Sequence, residues 1–517
     1  MDLSVNEVHP EGEHEIEEKE LELKDFSVAT YGGKYHVQWE HDAKVTPLGQ
    51  LPYFVQFLKM GGRFDQWVQD CPLTYLSPNA PSKLNVLGSL FLSVLSGHRR
   101  YAQVGALICD NISPGLLGMS KVVSEDSARR AIKKIDQTDS EKWLQGHLLE
   151  NCLSLLDTPW IMDVDSSIKP LYGNQEMATV GYNPKKPGRP SHTLHTYFVA
   201  GLRLVLDVQV HAGNESNSTH TLPGMIELLN KLPQTHRPYW VRGDIGFGTD
   251  RVMTELESMG QAYLFKLKKS AKVQELIYKH HFSQKWKNLR DGWQVKNTEI
   301  KLQGWEQARQ VTLIRRQFKP TSIVGIEHQT EQGQQLSLLD EDENQNLKSY
   351  QYSVLISNQQ LDEHAAFDLY RDRADCENTF DELKNQWGWG GFTSQDIASC
   401  RTMTRIVALI YNWWTLFVHL ASPHQHHEAI TSRPLLLTGI ARQVDHRNQK
   451  TLKLTTSDCK TKNFKRIYCH LNNLFDHVKR YAPQFNPKQC WHWFLKQIAE
   501  GYRRKIGEKN YLSLSSC

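Results

Sequence analysis

The chain has no cysteine pattern that would staple it or bind a metal. Its nine cysteines are scattered over 517 residues without a C-x-x-C pair. An odd, dispersed set predicts reduced thiols rather than a disulfide framework. His424, His426 and His427 cluster without a partnering cysteine or an H-E-x-x-H spacing, so a surface loop is expected there and a zinc site is not. No charged n-region followed by an apolar h-region opens the sequence, so no secretory signal is expected. Long apolar runs are missing as well. The longest, Ile406 to Leu420, contains Asn412 and is too short to span a bilayer, which makes it a buried helix. These absences exclude a disulfide-rich scaffold and a helical membrane protein, and the expectation is a cytoplasmic one.

What is present is ordinary in bulk and uneven in place. The hydrophobic fraction of 39% and the charged fraction of 23% are those of a soluble globular protein. The length allows about three domains at roughly 150 residues each. Residues 1–25 carry ten acidic side chains against Lys19 and Lys24, a balance of −8 that leaves +12 on the rest within a total of +4. A basic body behind an acidic, disordered arm favours a polyanionic partner.

Texture divides the chain. Residues 26–158 read as mostly helical and 159–267 as short strands alternating with helices. Residues 268–362 are β-rich, 363–422 return to helix, and 423–517 read as a helical region with a possible dimerisation role. In the first region Ser124 is a fitting N-cap, with Glu125 and Asp126 in the first turn. Ala128, Ala131, Ile132 and Ile135 then recur at helical spacing, with Arg129, Arg130, Lys133 and Lys134 on the other side. Following a helical segment at Arg99 to Asp110, this basic helix suits a helix-turn-helix reader of DNA. A solvated amphipathic helix has the same pattern.

Further on, Trp160 to Asp165 is a strand candidate. His195 to Ala200 and Arg203 to Val210 flank Gly201-Leu202 as a hairpin. Helices at about Leu222 to Leu232 and Thr249 to Met259 bracket a strand at Tyr239 to Arg242, and Ala262 to Leu267 adds another. This order predicts an α/β fold with a mixed sheet flanked by helices. Residues 266–319 hold fourteen Lys or Arg against four acids, with Trp286, Trp293 and Trp305 interleaved. Strands are expected near Glu299 to Leu302, Gln310 to Ile314 and Tyr350 to Ile356, with an acidic loop at Asp340 to Glu343 before the last.

The informative stretch is Leu369 to Lys384, LYRDRADCENTFDELK, which has no Gly or Pro and predicts one helix. At 100° per residue, Tyr370, Arg373, Glu377 and Lys384 share a face, while Leu369, Cys376, Phe380 and Leu383 form an adjoining apolar stripe. An i, i+4 charge ladder in water would look much the same.

The spacing Tyr370-x2-Arg373-x3-Glu377-x6-Lys384 resembles the Y-R-E-K signature of DDE transposases from bacterial insertion sequences. Asp165, followed by Ser166 and Ser167, is similar to that family's first Asp, and Asp244 in VRGDIGF resembles the second. The stretch from Gly173 to Pro190, with GYNPKKPGRP at its end, also looks like a branch of the family. The resemblance runs from about residue 85 to 420; after Lys384 the run NQWGWGGFTSQD departs from it.

The resemblance implies an RNase H-like catalytic core, interrupted by a β-rich insertion and flanked by helical N-terminal and C-terminal regions. It implies Asp165, Asp244 and Glu377 as catalytic ligands of two Mg²⁺ ions, with Mn²⁺ as substitute. Carboxylates suit that hard cation, and a pair of ions about 3.5–4 Å apart serves in-line phosphoryl transfer. Asp163 shares the strand face of Asp165 and is its rival, while Glu176, Asp250 and Asp381 are lesser alternatives. Tyr370, Arg373 and Lys384 are implied to contact phosphates. Trp293 or Trp305 either stacks a flipped base or packs in the core. Lys185, Lys186 and Arg189 form a basic loop that either clamps DNA or is solvated. The expected activity is cleavage of element ends and joining to target DNA, by a homodimer acting on double-stranded DNA in a bacterial cytoplasm, associated with the nucleoid. An RNase H-like nuclease without strand transfer, or a descendant that only binds DNA, is the alternative.

Overall fold

The computed structural model describes residues 25–40, 42–215, 217–317, 349–423, 425–447, 449–456 and 461–507. The acidic arm, the Asp340 to Glu343 loop and His424 lie outside the described residues. A hairpin of β1 (Phe26–Thr30) and β2 (Gly33–Val37) comes first, then β3 (Val45–Thr46). Helices follow as expected, among them Leu51–Met60, Lys83–Leu95 and Gln137–Glu150.

One mixed sheet dominates the rest. Its strands are β4 (Ile161–Pro170), β5 (Thr179–Val180), β6 (Pro190–Val199), β7 (Leu204–Ala212), β8 (Trp240–Gly243) and β9 (Tyr263–Lys266). β10 (Lys287–Asn288), β11 (Trp293–Ile300), β12 (Arg309–Gln317) and β13 (Tyr350–Ser357) complete it. The central order is β7-β6-β4-β8-β9, in which β6 is antiparallel to both its neighbours while β4, β8 and β9 run parallel. The expected hairpin is present as β6 and β7. Its turn needs positive φ twice, supplied by Gly201 (75°) and, against its side chain's preference, Arg203 (56°).

In the β-rich segment at 268–362, the described strands extend this sheet: β13 pairs antiparallel with β9, and β12, β11 and β10 follow outward. The open edge of β9 is thereby filled, which removes unpaired backbone groups. One expectation is corrected here, because the C-terminal region is not purely helical. β14 (Ile440–His446) and β15 (Gln449–Thr455) form a hairpin that joins β3. Most of its side chains are exposed, so it has little hydrophobic alternation to read.

The helix Ile397–Ala421 is buried almost throughout and is packed between β7 and the N-terminal helices. Phe54 meets Trp414 and Phe417, and Phe57 meets Trp491 and Phe494 of the helix Pro487–Gly507, so helices from distant parts of the sequence share one core. Each such buried aromatic contributes about 1.5–3 kcal/mol. Asn412, the polar break in the apolar run, accepts from the Val205 amide (2.9 Å) and donates to the Val205 carbonyl (2.7 Å). Among the described residues no helix is long and apolar enough to cross a membrane.

Candidate active site

β4 does not end at Asp165, as the sequence suggests, but continues to Pro170. What ends is its pairing with β8: Val164 and Gly243 are the last partners, and Asp165 and Asp244 follow them. The two carboxylates therefore emerge side by side where two parallel strands part. The Asp165 carboxyl accepts from the Ser166 amide (2.8 Å), and that of Asp244 from the Gly246 amide (2.8 Å). Burial pushes the Asp165 carboxyl up to about 6; Asp244 and Asp163 add to the shift, and Arg373 and the Ser166 amide oppose it.

Asp163 is occupied differently. Its side chain is 1% exposed and takes two hydrogen bonds from Arg242, at 2.6 and 2.7 Å. A carboxylate sealed in this way has no open ligand position. Asp250 is likewise bound, to Arg309 at 2.5 Å, and Glu176 accepts from the Ile397 amide. Asp381 accepts from Asn385 on an exposed helix face.

The stretch Leu369 to Lys384 is not one helix but two, Glu363–Arg371 and Ala374–Gln386. Arg242 also donates to the Leu369 carbonyl, which in an unbroken helix would serve the Arg373 amide. That amide bonds the Tyr370 carbonyl instead, and the Cys376 amide bonds that of Arg373, a tighter i→i+3 jog. The apolar stripe of Leu369, Cys376, Phe380 and Leu383 is buried as expected.

The jog swings Arg373 inward, where its guanidinium bonds Asp165 and lies 3.7 Å from Glu377. Asp165 is the chief influence holding Arg373 above the usual arginine range, against the opposing effect of burial, and the Arg373 Nε is enclosed without a hydrogen-bond partner. Glu377 is 72% exposed at the mouth. The Tyr370 phenol is pushed up to about 12, first by burial, with Arg373 opposing and Asp244, Asp165 and Glu377 adding. Those causes make Tyr370 a neighbour of all three acids. The acids themselves do not converge at ligand spacing. Among the described residues, the set of three metal-binding groups with ligand atoms within 4.8 Å of one another lies elsewhere. Arg373 is instead the cation between Asp165 and Glu377, and the donor set of hard carboxylates fits a hard divalent metal.

Basic groups gather beside the acids. The Lys384 ammonium is lowered by burial and by Lys185, with Asp165 and Asp381 opposing, so the basic loop and the helix face each other. Lys186 and Arg189 each lie 4.9 Å from the ring of exposed Tyr172, which sequence reasoning missed. Trp305 is buried beneath Arg309, so it packs as core and presents no face to a base. Trp293 is half-buried, against Phe367 (5.5 Å) and the Arg316 guanidinium (5.5 Å).

The basic helix Glu125–Lys134 has the N-cap at Ser124 and buried Ala128, Ala131 and Ile132. Its expected partner, Arg99 to Asp110, is a 3₁₀ segment at Tyr101–Cys109, a weaker geometry than the α-helix of a helix-turn-helix. Arg129 lies over the Tyr101 ring (5.5 Å) and near Glu125 and Asp126, Arg130 donates to the Asp126 carbonyl, and Lys133 is exposed.

Sequence reasoning also missed three supports. Arg242 joins β8 to β4 and to the jog; the signal was its place two residues before Asp244. Arg203, in the hairpin turn, holds Asp375 (2.6 Å) on the Glu377 helix. Lys169, buried, donates to the Gly391 carbonyl (2.6 Å), and the Phe392 amide bonds the Arg99 carbonyl. A side chain on Gly391 would collide with that Arg99 backbone, which explains the glycine at that position.

No curated protein matches the chain. Among solved structures it is similar to the piggyBac transposase in the cryo-EM structure of its synaptic complex with hairpin DNA. The identity is 12% and the TM-score 0.36, over 88% of this chain and 85% of that one, a likeness too slight to carry an argument. Residues 157–413, which contain Asp165, Asp244 and Glu377, match the family model of the transposase DDE domain, and this match supports a DDE transposase.

Proposed function

We propose that this chain is a DNA transposase that cleaves the ends of an insertion-sequence element and joins their 3′-hydroxyls to target DNA. The observation that carries the reading is the gathering of Asp165, Asp244, Tyr370 and Arg373 where β4 and β8 part, with Glu377 at the mouth, inside the segment that matches a transposase DDE domain. The strand order, three antiparallel strands followed by two parallel ones, supports an RNase H-like core. Asp165, Asp244 and Glu377 would hold two Mg²⁺ ions, or Mn²⁺, which supply activation of the attacking oxygen and stabilisation of the leaving one.

The chain's own residues set the conditions. Arg373 neutralises Asp165 before substrate arrives and turns to a phosphate once the carboxylate has another partner. Lys384 and Lys185, facing each other, suit a single phosphate run, and exposed Glu377 is free to close on the two aspartates. Trp293, with Arg316 beside it, is the remaining candidate for base stacking. Lys186, Arg189, Arg129, Arg130 and Lys133 extend the basic surface for double-stranded DNA. Synapsis of two ends calls for a homodimer, and action on a bacterial element places it at the nucleoid.

The test is Mg²⁺- or Mn²⁺-dependent cleavage of the element's own end, with Glu377→Gln beside the unaltered chain. Unchanged cleavage in that variant removes Glu377 from the site. Cleavage without a strand-transfer product makes the enzyme a nuclease.

A further inference from the structure

On the other face of the sheet from the catalytic acids, three residues form a cluster of metal-binding type. Asp165 pairs with Thr196 across β4 and β6, so its side chain and that of His195 leave the sheet on opposite sides. His211 of β7 pairs with Thr193 and shares the side of His195. Glu215 follows in the turn after β7, and His220 lies in the first part of the helix Asn217–Lys231. The ligand atoms of His211, Glu215 and His220 all lie within 4.8 Å of one another.

The geometry is crowded in a way that a cation explains. His211 Nδ1 stands 2.8 Å from Glu215 Oε2, and His220 Nδ1 stands 3.0 Å from the same oxygen. Two imidazole nitrogens thus converge on one carboxylate oxygen. Gln209 Oε1 lies 3.3 Å from His211 Nε2, an outer partner of the sort that turns the other ring nitrogen toward a metal. Behind them His195 is fully buried, its ring 5.0 Å from that of His211, and its Nε2 has no hydrogen-bond partner. The side chains of His211, Glu215 and His220 are 22%, 20% and 36% exposed, so an ion has access.

We propose that His211, Glu215 and His220 form a second metal site, for a borderline transition ion of the Zn²⁺ type, separate from the catalytic carboxylates. Two imidazoles and one carboxylate are a zinc-type donor set, with water in the fourth position, and not the all-oxygen set that Mg²⁺ prefers. Asn214, next to Glu215, is bonded to Thr179 of β5 in both directions, at 3.0 and 3.1 Å. An ion there fixes the turn that anchors β5, and through β5 the start of the loop bearing Lys185, Lys186 and Arg189. The spacing of the three residues, His-x3-Glu-x4-His across strand, turn and helix, follows no helical period, which is why it is not legible as a motif.

The experiment loads the metal-free full chain with ZnCl₂, dialyses it and counts bound zinc by mass spectrometry. His220→Ala, Glu215→Gln and Asp244→Asn are compared, each checked for fold by circular dichroism. The unaltered chain and Asp244→Asn are expected to retain one zinc. His220→Ala and Glu215→Gln are expected to bind more weakly by at least the roughly 10–100-fold that loss of an outer partner alone produces. No zinc on the unaltered chain, equal uptake in all variants, or loss only in Asp244→Asn overturns the proposal. His220 is partly exposed and Glu215→Gln preserves shape, so a misfolded variant of one leaves the other to decide.

Discussion

Asp163 and Asp165 share one face of β4, two residues apart, and each is bound to an arginine. The Asp163–Arg242 pair is 1% exposed on both sides, with two hydrogen bonds between its members and a third from Arg242 to Leu369. The Asp165–Arg373 pair opens toward solvent, its carboxyl side 14% exposed and raised toward neutrality, and Arg373 retains an unsatisfied Nε. In the first, the charges are fully matched and hold three elements together. In the second, they are matched incompletely, which leaves both partners available to something else. A carboxylate's neighbours, rather than its place in a motif, divide architecture from reactivity.

The largest effect should come from breaking the sealed pair. Arg242→Met leaves a buried, unpaired Asp163 and is expected to destabilise the fold by about 3–5 kcal/mol in urea unfolding, whereas Asp163→Leu with Arg242→Met recovers most of it. A loss under about 1 kcal/mol would mean that the two pairs do not differ. Glu377→Gln, at the open pair, is expected to reduce DNA cleavage by about 10²–10³-fold. Its unfolding free energy should stay within about 0.5 kcal/mol, because the side chain is largely exposed.

Acidity gives the next contrast. With the Asp165 pKa near 6 in the metal-free fold and about 3.9 unfolded, this group's contribution to stability is full below about pH 4. It is lost as pH rises through 6, by about 3 kcal/mol at most. Urea midpoints of the metal-free chain and Asp165→Asn between pH 4 and 7 should diverge accordingly; parallel curves would refute the shift. The smallest effect is expected from Lys384→Ala, which would remove the one phosphate contact proposed for that ammonium. DNA binding should weaken alike for all sequences, and the slope of log affinity against log salt should shrink by about one. An unchanged slope places Lys384 off the phosphates.

Much of the sheet was legible because its signals are local. Gly201 beside alternating apolar residues gives the β6–β7 hairpin, and the Ser124 cap with Ala128, Ala131 and Ile132 gives the helix after it. The apolar stripe beside Glu377 also follows from spacing within one segment. What escaped depends on residues distant in sequence. The jog at Asp372–Arg373 arises because Arg242, 127 residues earlier, takes the Leu369 carbonyl. Trp305 is core because Arg309 lies over it, and β14–β15 escaped because its exposed side chains carry little pattern. Asp163 and Asp165 lie on one face of the strand, and that the Asp163 carboxylate is occupied depends on the same distant arginine.

Asn412 has a consequence beyond filling a polar gap in the helix Ile397–Ala421. β7 is the outer strand beside β6, and an outer strand offers its backbone to any passing chain. By occupying the Val205 amide and carbonyl, Asn412 caps that edge from within the same molecule, and Arg401 takes the Val210 carbonyl farther along. A further strand could add to β7 at Val205 and Val210 only by displacing Asn412 and Arg401, so the helix Ile397–Ala421 acts as a guard on that edge as well as its packing partner.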